Sequence, residues 1–200
     1  MRKQTLDDII ASRDLLKHPF YQAWNMGTLT THDLAVYAVQ YGEFIDTIAA
    51  GWDAAGDPDV AVEERQHARL WTDFAAGLGA TRPAERRLPE IEHLVSVAGA
   101  SFTDRPRALG ALYAFERQQP GTATSKLDGL RKHYNVGEAA EVYFEVHKDD
   151  EDEPRWLAEQ MEALSPQEFE RARLACAEMA GALWGGLDGV MLEVEGAARH

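Results

Sequence analysis

Ala, Leu, Glu, Arg and Gln dominate this 200-residue chain, while β-branched alternation is scarce. With Gly and Pro interrupting at short intervals, such a chain is expected to fold by packing helices on one another. A first helix is expected from about Leu6 to Lys17, and Pro19 restarts it with Phe20, Tyr21 and Trp24 on its apolar side. Thr30 or Thr31 caps a second that reaches roughly Trp52, and AAGDPD at 54–59 turns the chain. A third carries Val62 to Leu78 and stops at Gly77 and Gly79, and a fourth spans about Glu85 to Gly99. Asp104 and Pro106 open a fifth that runs to Gln119, breaks at Pro120-Gly121 and resumes through Lys126 to His133. A sixth lies around Glu138 to Asp152, and Ser165-Pro166 with Glu168 forms a capping box for a long last helix. The expectation is all-α: one domain over residues 1–200, with about seven helices joined by short loops.

The bulk numbers narrow the partners. Net charge is −14, with 34 acidic against 20 basic residues, so nucleic-acid phosphate and anionic membranes would repel the chain. A small-molecule substrate suits it better. Cys176 is the only cysteine, which excludes an intrachain disulfide and a Cys-based zinc site. MRKQTLDDIIASRD carries no apolar core before a small-residue cleavage site, and no run approaches the ~18 apolar residues of a membrane span. A cytoplasmic protein is expected.

Three short stretches carry chemistry. In YFEVHKDDEDEP, His147 stands three residues before Asp150 and four before Glu151, positions that share one helical face and can grip one metal ion. Pro154, one turn further along that face, can coordinate nothing. Glu116 lies in LGALYAFERQQ with apolar Tyr113, Leu112 and Leu109 behind it, where a carboxylate is unfavourable unless paired, hydrogen-bonded or bound to metal. His67 follows Glu63 and Glu64 in AVEERQHARLW, giving a second helical carboxylate–imidazole pair. Two such pairs and a core Glu resemble the carboxylate–histidine metal sites built between facing helices. His18, His32, His93, His133 and His200 have no such setting and read as capping, surface or terminal residues. Tyr21, Tyr37, Tyr41 and Tyr113 fall on apolar stripes, which core packing explains, and Lys126 in TSKLDGL reads by itself as a solvated lysine.

HPFYQAW, ALYAFERQ followed by KLDGLRKHY, YFEVH and LWGGLDGV occur in an order that resembles the Chlamydia protein associating with death domains and its bacterial relatives. The resemblance touches every part of the chain and implies the haem-oxygenase-like (TenA/PqqC-like) helical bundle. The stretch between Tyr41 and His67 is shorter than in that family. The resemblance further implies a dimetal oxidase of folate biosynthesis that makes para-aminobenzoate from one of its own tyrosines. By position, Tyr21 is then the consumed tyrosine and Lys126 the amino donor. His67, Glu116 and His147 match three family ligands, and Glu151 replaces an aspartate. The family's last histidine becomes Pro154, and its first glutamate becomes Val60.

Angular position on the helix makes Glu63 the nearest replacement for that first glutamate, with Glu64 next and Glu43 on the preceding helix a further candidate. Proline disfavours helix at Glu153, so the metal-bearing helix is expected to kink or end there, and the acidic run from Asp149 to Glu153 offers a substitute oxygen ligand. The expected cofactor is iron, one ion or two, with manganese possible, and O2 is the expected co-substrate. A homodimer is also among the expectations, because the fold often forms one. The alternatives are a metal-free TenA- or PqqC-like enzyme and a binding protein that has lost its metal, both supported by Pro154.

Overall fold

The computed structural model describes residues 2–197, and the expected all-helical bundle is what it contains. In chain order the helices are α1 (Arg2–Ala11), α2 (Pro19–Met26), α3 (Thr31–Ile45), α4 (Ile48–Ala55), α5 (Pro58–Gly77), α6 (Pro89–Ser101), α7 (Arg105–Glu116), α8 (Gln119–Gly129), α9 (Val142–His147), α10 (Asp152–Glu162) and α11 (Pro166–Ala197). The larger number of segments, compared with the expected seven or so, comes from breaks inside the expected helices and from α10, which lies beyond the expected sixth helix except for Asp152. The first is cut by Asp14, whose side chain accepts from the Leu16 N–H and caps a separate 3₁₀ turn, Leu15–Lys17. The second divides into α3 and α4 around Asp46 and Thr47. The sixth is cut to α9 alone, and Asp152 already belongs to α10. Pro120 behaves differently from expectation: it sits in the first turn of α8, where its missing N–H has no intrahelical partner to lose.

The expected capping box ahead of α11 forms, and Thr30, expected only as a cap, forms a second one with Asp33. Thr30 accepts from the Asp33 N–H while Asp33 accepts from the Thr30 N–H, and Ser165 and Glu168 do the same ahead of α11.

The bundle is built around α7, in which every residue from Ala108 to Glu116 is buried. It packs along α11, and Gly110 makes that possible: a Cβ at this position would overlap the Ala172 carbonyl. A helix enclosed on all sides cannot be amphipathic, and α7 accordingly reads apolar all round. The chemical interest therefore concentrates on Glu116, its last residue, only 1% exposed in this apolar setting. A second, aromatic layer of Trp24, Tyr37, Tyr41, Trp71, Phe74 and Phe144 fills the space between α2, α3, α5 and α9, with neighbouring rings 5–6 Å apart. Among the described residues no helix is long and apolar enough to cross a membrane.

Candidate metal centre and its tyrosine–lysine neighbour

Helix α5 presents its inward face through Ala61, Glu64, Trp71, Phe74 and Ala75. Glu64 falls in phase with that stripe and is buried, whereas Glu63 is turned to the surface. The angular argument from His67 favoured Glu63, but His67 itself stands at the edge of the buried face, so phase is set by the core residues instead. Glu64 Oε1 lies 2.8 Å from His67 Nδ1. Burial pulls the His67 pKa down, and the hydrogen bond and charge of Glu64 outweigh it, so the net shift is upward.

His147 reaches the same point from the end of α9. Its Nδ1 lies 2.6 Å from the Tyr143 carbonyl oxygen, which can only accept, so Nδ1 carries the hydrogen and Nε2 keeps its lone pair. Burial lowers its pKa to about 3, leaving a neutral imidazole at physiological pH. The two imidazole rings stand 4.5 Å apart, and ligand atoms of Glu64, His67 and His147 all lie within 4.8 Å of one another.

Glu116 closes the site from α7. Trp52 Nε1 donates to its Oε1 at 3.3 Å. Burial raises the Glu116 pKa well above the usual carboxylate range, and the neighbouring Glu153 and Glu64 push it the same way. Glu153, from the first turn of α10, is hydrogen-bonded to Glu116, and burial followed by the charges of Glu64 and Asp150 raises it to about 9. Glu64, His67 and His147 thus form a compact donor group, with the buried carboxyls of Glu116 and Glu153 acting on it electrostatically. Burial and like charge work against ionising Glu116 and Glu153, and a bound divalent cation would reverse both effects. Oxygen and imidazole donors without thiolate are the set that iron and manganese take. The residues therefore fit such an ion.

Other candidates lie elsewhere. Glu151 is exposed and lines two outer clefts together with Arg117. Glu63 lines the rim of a cleft of about 300 Å³ that also borders Trp52, Asp150 and Glu153. Glu43 is occupied by Arg87 Nε at 2.7 Å and the Ala84 N–H at 3.0 Å. His18 caps α2 by accepting from the Phe20 N–H and meets Asp188 at 3.0 Å. His200 lies outside the described residues. Burial pushes the Cys176 thiol up to about 12, which makes it a poor nucleophile for the thiaminase-like alternative.

Beyond the imidazoles the core holds a phenol–amine cluster. Tyr21 and Tyr37 share a hydrogen bond of 2.9 Å between hydroxyls. Lys126, only 4% exposed, donates from Nζ to Tyr37 Oη at 3.2 Å. The same nitrogen stands over the Tyr21 ring, 4.7 Å from its centroid, and among the described residues no carboxylate pairs with it. Burial alone lowers the Lys126 pKa to about 7, and burial, joined by the neighbouring phenols, raises those of Tyr21, Tyr37 and Tyr41 well above their usual value. Tyr113 is apart, donating to Asp7 at 2.7 Å.

Tyr143 links the two clusters. Its ring lies 4.2 Å from that of His147 and 4.7 Å from that of Trp71, and its hydroxyl accepts from Gln119 at 2.9 Å. The sequence reading passed over Tyr143, although its place four residues before His147 puts both on one face.

Comparison with known proteins shows the fold and the family. The sequence family described as iron-containing redox enzymes matches residues 46–184. A 4-aminobenzoate synthase of Nitrosomonas europaea is 32% identical, covering 94% of this chain and 90% of its own. Its counterpart in Chlamydia trachomatis is 28% identical, covering 92% and 89%. Among solved structures, a TenA homologue of Pseudomonas syringae superposes with a TM-score of 0.77 at 15% identity, over 96% of this chain and 93% of that one. A CADD-like protein of Nostoc punctiforme gives 0.70 at 17% identity, over 98% and 95%. At these identities the structural likeness is one of fold. The match over residues 46–184 and the relative at 32% identity decide the family: the chain belongs to the haem-oxygenase-like iron-containing redox enzymes.

Proposed function

We propose that this chain is a 4-aminobenzoate synthase that consumes its own Tyr21, takes the amino nitrogen from Lys126, and holds its metal on Glu64, His67, Glu116 and His147. The observation that carries the reading is the placement of an uncompensated lysine amine over the face of a buried tyrosine ring, one aromatic layer from a carboxylate–imidazole set. The relatives named 4-aminobenzoate synthase support it.

The product dictates which bonds must change. A benzoate ring bearing one carbon requires the tyrosine Cα–Cβ bond to break and Cβ to become a carboxyl. An amino group para to it requires nitrogen to replace the phenol oxygen, which leaves as water, while the Lys126 Cε–Nζ bond breaks and Cε is left at the aldehyde level, with O2 as the oxidant. When bound, iron, alone or with manganese, supplies the activation of O2 that this oxidation needs. The chain's own residues supply the rest. With a pKa near 7, Lys126 has a lone pair available at neutral pH, where an exposed lysine would be almost wholly protonated. Tyr37 accepts its hydrogen bond and fixes the amine against the ring. The aromatic layer keeps bulk water from competing with the amine.

The test is a single-turnover assay. Protein loaded anaerobically with Fe(II), with and without Mn(II), is given O2 and reductant, and 4-aminobenzoate is measured alongside peptide masses. Tyr21→Phe and Lys126→Met are expected to abolish product, and the spent parent chain to lose mass at residue 21. Undiminished product from Tyr21→Phe refutes self-consumption.

A further inference from the structure

Helix α9 ends at His147 and α10 begins at Asp152, so the residues between them do not continue one helical phase. On an unbroken helix, positions 151 and 154 would share the face of His147. The break turns that pattern around. Glu151 and Pro154 line the outer cleft beside Arg117, while Asp150 and Glu153 line the opposite cleft beside Trp52 and Glu63. Glu153 goes deeper than Asp150: it is only 9% exposed and hydrogen-bonds with Glu116. The ionisable side chains that act on it most strongly, Glu64, Asp150, Glu116 and Glu63, are acids. A carboxylate buried among carboxylates, with Trp52 donating to its partner Glu116 at 3.3 Å, calls for a cation.

We infer that Glu153 is a protein ligand of the metal centre, delivered by the helix break to fill the place that residues 151 and 154 leave empty. The inference rests on the metal-centre reading above and extends it. The set then contains Glu64, Glu116 and Glu153 with His67 and His147, and it is richer in hard oxygen donors than one completed by a third imidazole. Pro154, in the first turn of α10, helps to fix the new phase rather than merely removing a ligand.

The test is anaerobic titration of metal-free protein with Mn(II), following the free ion by electron paramagnetic resonance. The parent chain is expected to bind, and Glu153→Gln, of nearly unchanged shape, to bind at least about tenfold more weakly. Glu153→Ala, which removes every donor atom, is expected to match it, with circular dichroism checking that both variants remain folded. Glu151→Gln is expected to bind as the parent does. Parental affinity in both Glu153 variants overturns the inference, as does an equal loss in Glu151→Gln. His147→Ala separates the two levels. If it loses Mn(II) while the Glu153 variants keep it, the centre stands and only the role of Glu153 falls. If the parent itself binds no Mn(II) or Fe(II), both fall.

Discussion

Lys126→Met tests the electrostatic state of the core directly. Methionine keeps the length and the apolar stem of lysine but removes the charge that burial opposes. Lowering a lysine from 10.5 to about 7 corresponds to about 4–5 kcal/mol of disfavoured charge when the amine is fully protonated. The sign follows from linkage: the unfolded chain holds this proton more tightly, so protonation destabilises the fold at every pH below 10.5. The penalty is complete below about pH 7, falls to about 2 kcal/mol near pH 9 and is nearly gone by pH 10.5. Metal-free Lys126→Met should therefore be more stable than the parent by a few kcal/mol at pH 6.5–7, with the gap closing as pH rises. Urea unfolding at pH 6.5, 8 and 9.5 reads this through the midpoint at constant slope. A variant no more stable than its parent at pH 6.5, or a gap that does not narrow with pH, refutes the reasoning.

Three further perturbations separate site from scaffold. Trp52→Phe removes the donor to Glu116 while keeping an aromatic wall, and Mn(II) affinity should drop by about tenfold in the same titration. Glu43→Gln loses the ion pair with Arg87 and should lower unfolding free energy by about 1–2 kcal/mol while leaving Mn(II) affinity unchanged, which marks Glu43 as a structural acid. Gly110→Ala drives a methyl into the Ala172 carbonyl, and thermal unfolding should show a loss of about 3 kcal/mol or more, or no folded protein at all.

Periodicity made much of this molecule readable. Helix content, capping boxes and the apolar setting of Glu116 depend on neighbours within one or two turns, and such information is local. Glu116 stood out because it puts a carboxylate on an otherwise apolar face, and His67 and His147 because carboxylates share their helical faces. The choice between Glu63 and Glu64 was less legible, since it depends on which face of α5 the rest of the bundle covers. Glu153 was hidden for a related reason: the break after His147 resets the helical phase, and spacing counted across it misplaces every later side chain. Lys126 was the least readable of all. Its partner Tyr37 is 89 residues away, and nothing in TSKLDGL reveals that the amine is enclosed by rings from α2, α3 and α9.

The enclosure of Tyr21 has one more consequence. The side chain is 3% exposed and packs against Phe20, Tyr37 and the Lys126 amine. Consuming it would leave behind a protein with a void where an aromatic ring stood, and losses of this size in a core amount to about 3–5 kcal/mol. A used copy would thus differ from a fresh one in lifetime as well as chemistry, unfolding sooner and reaching proteases first. The fold would act as a single-use cartridge that marks itself for disposal, and its supply would be set by the rate of synthesis of the chain rather than by turnover.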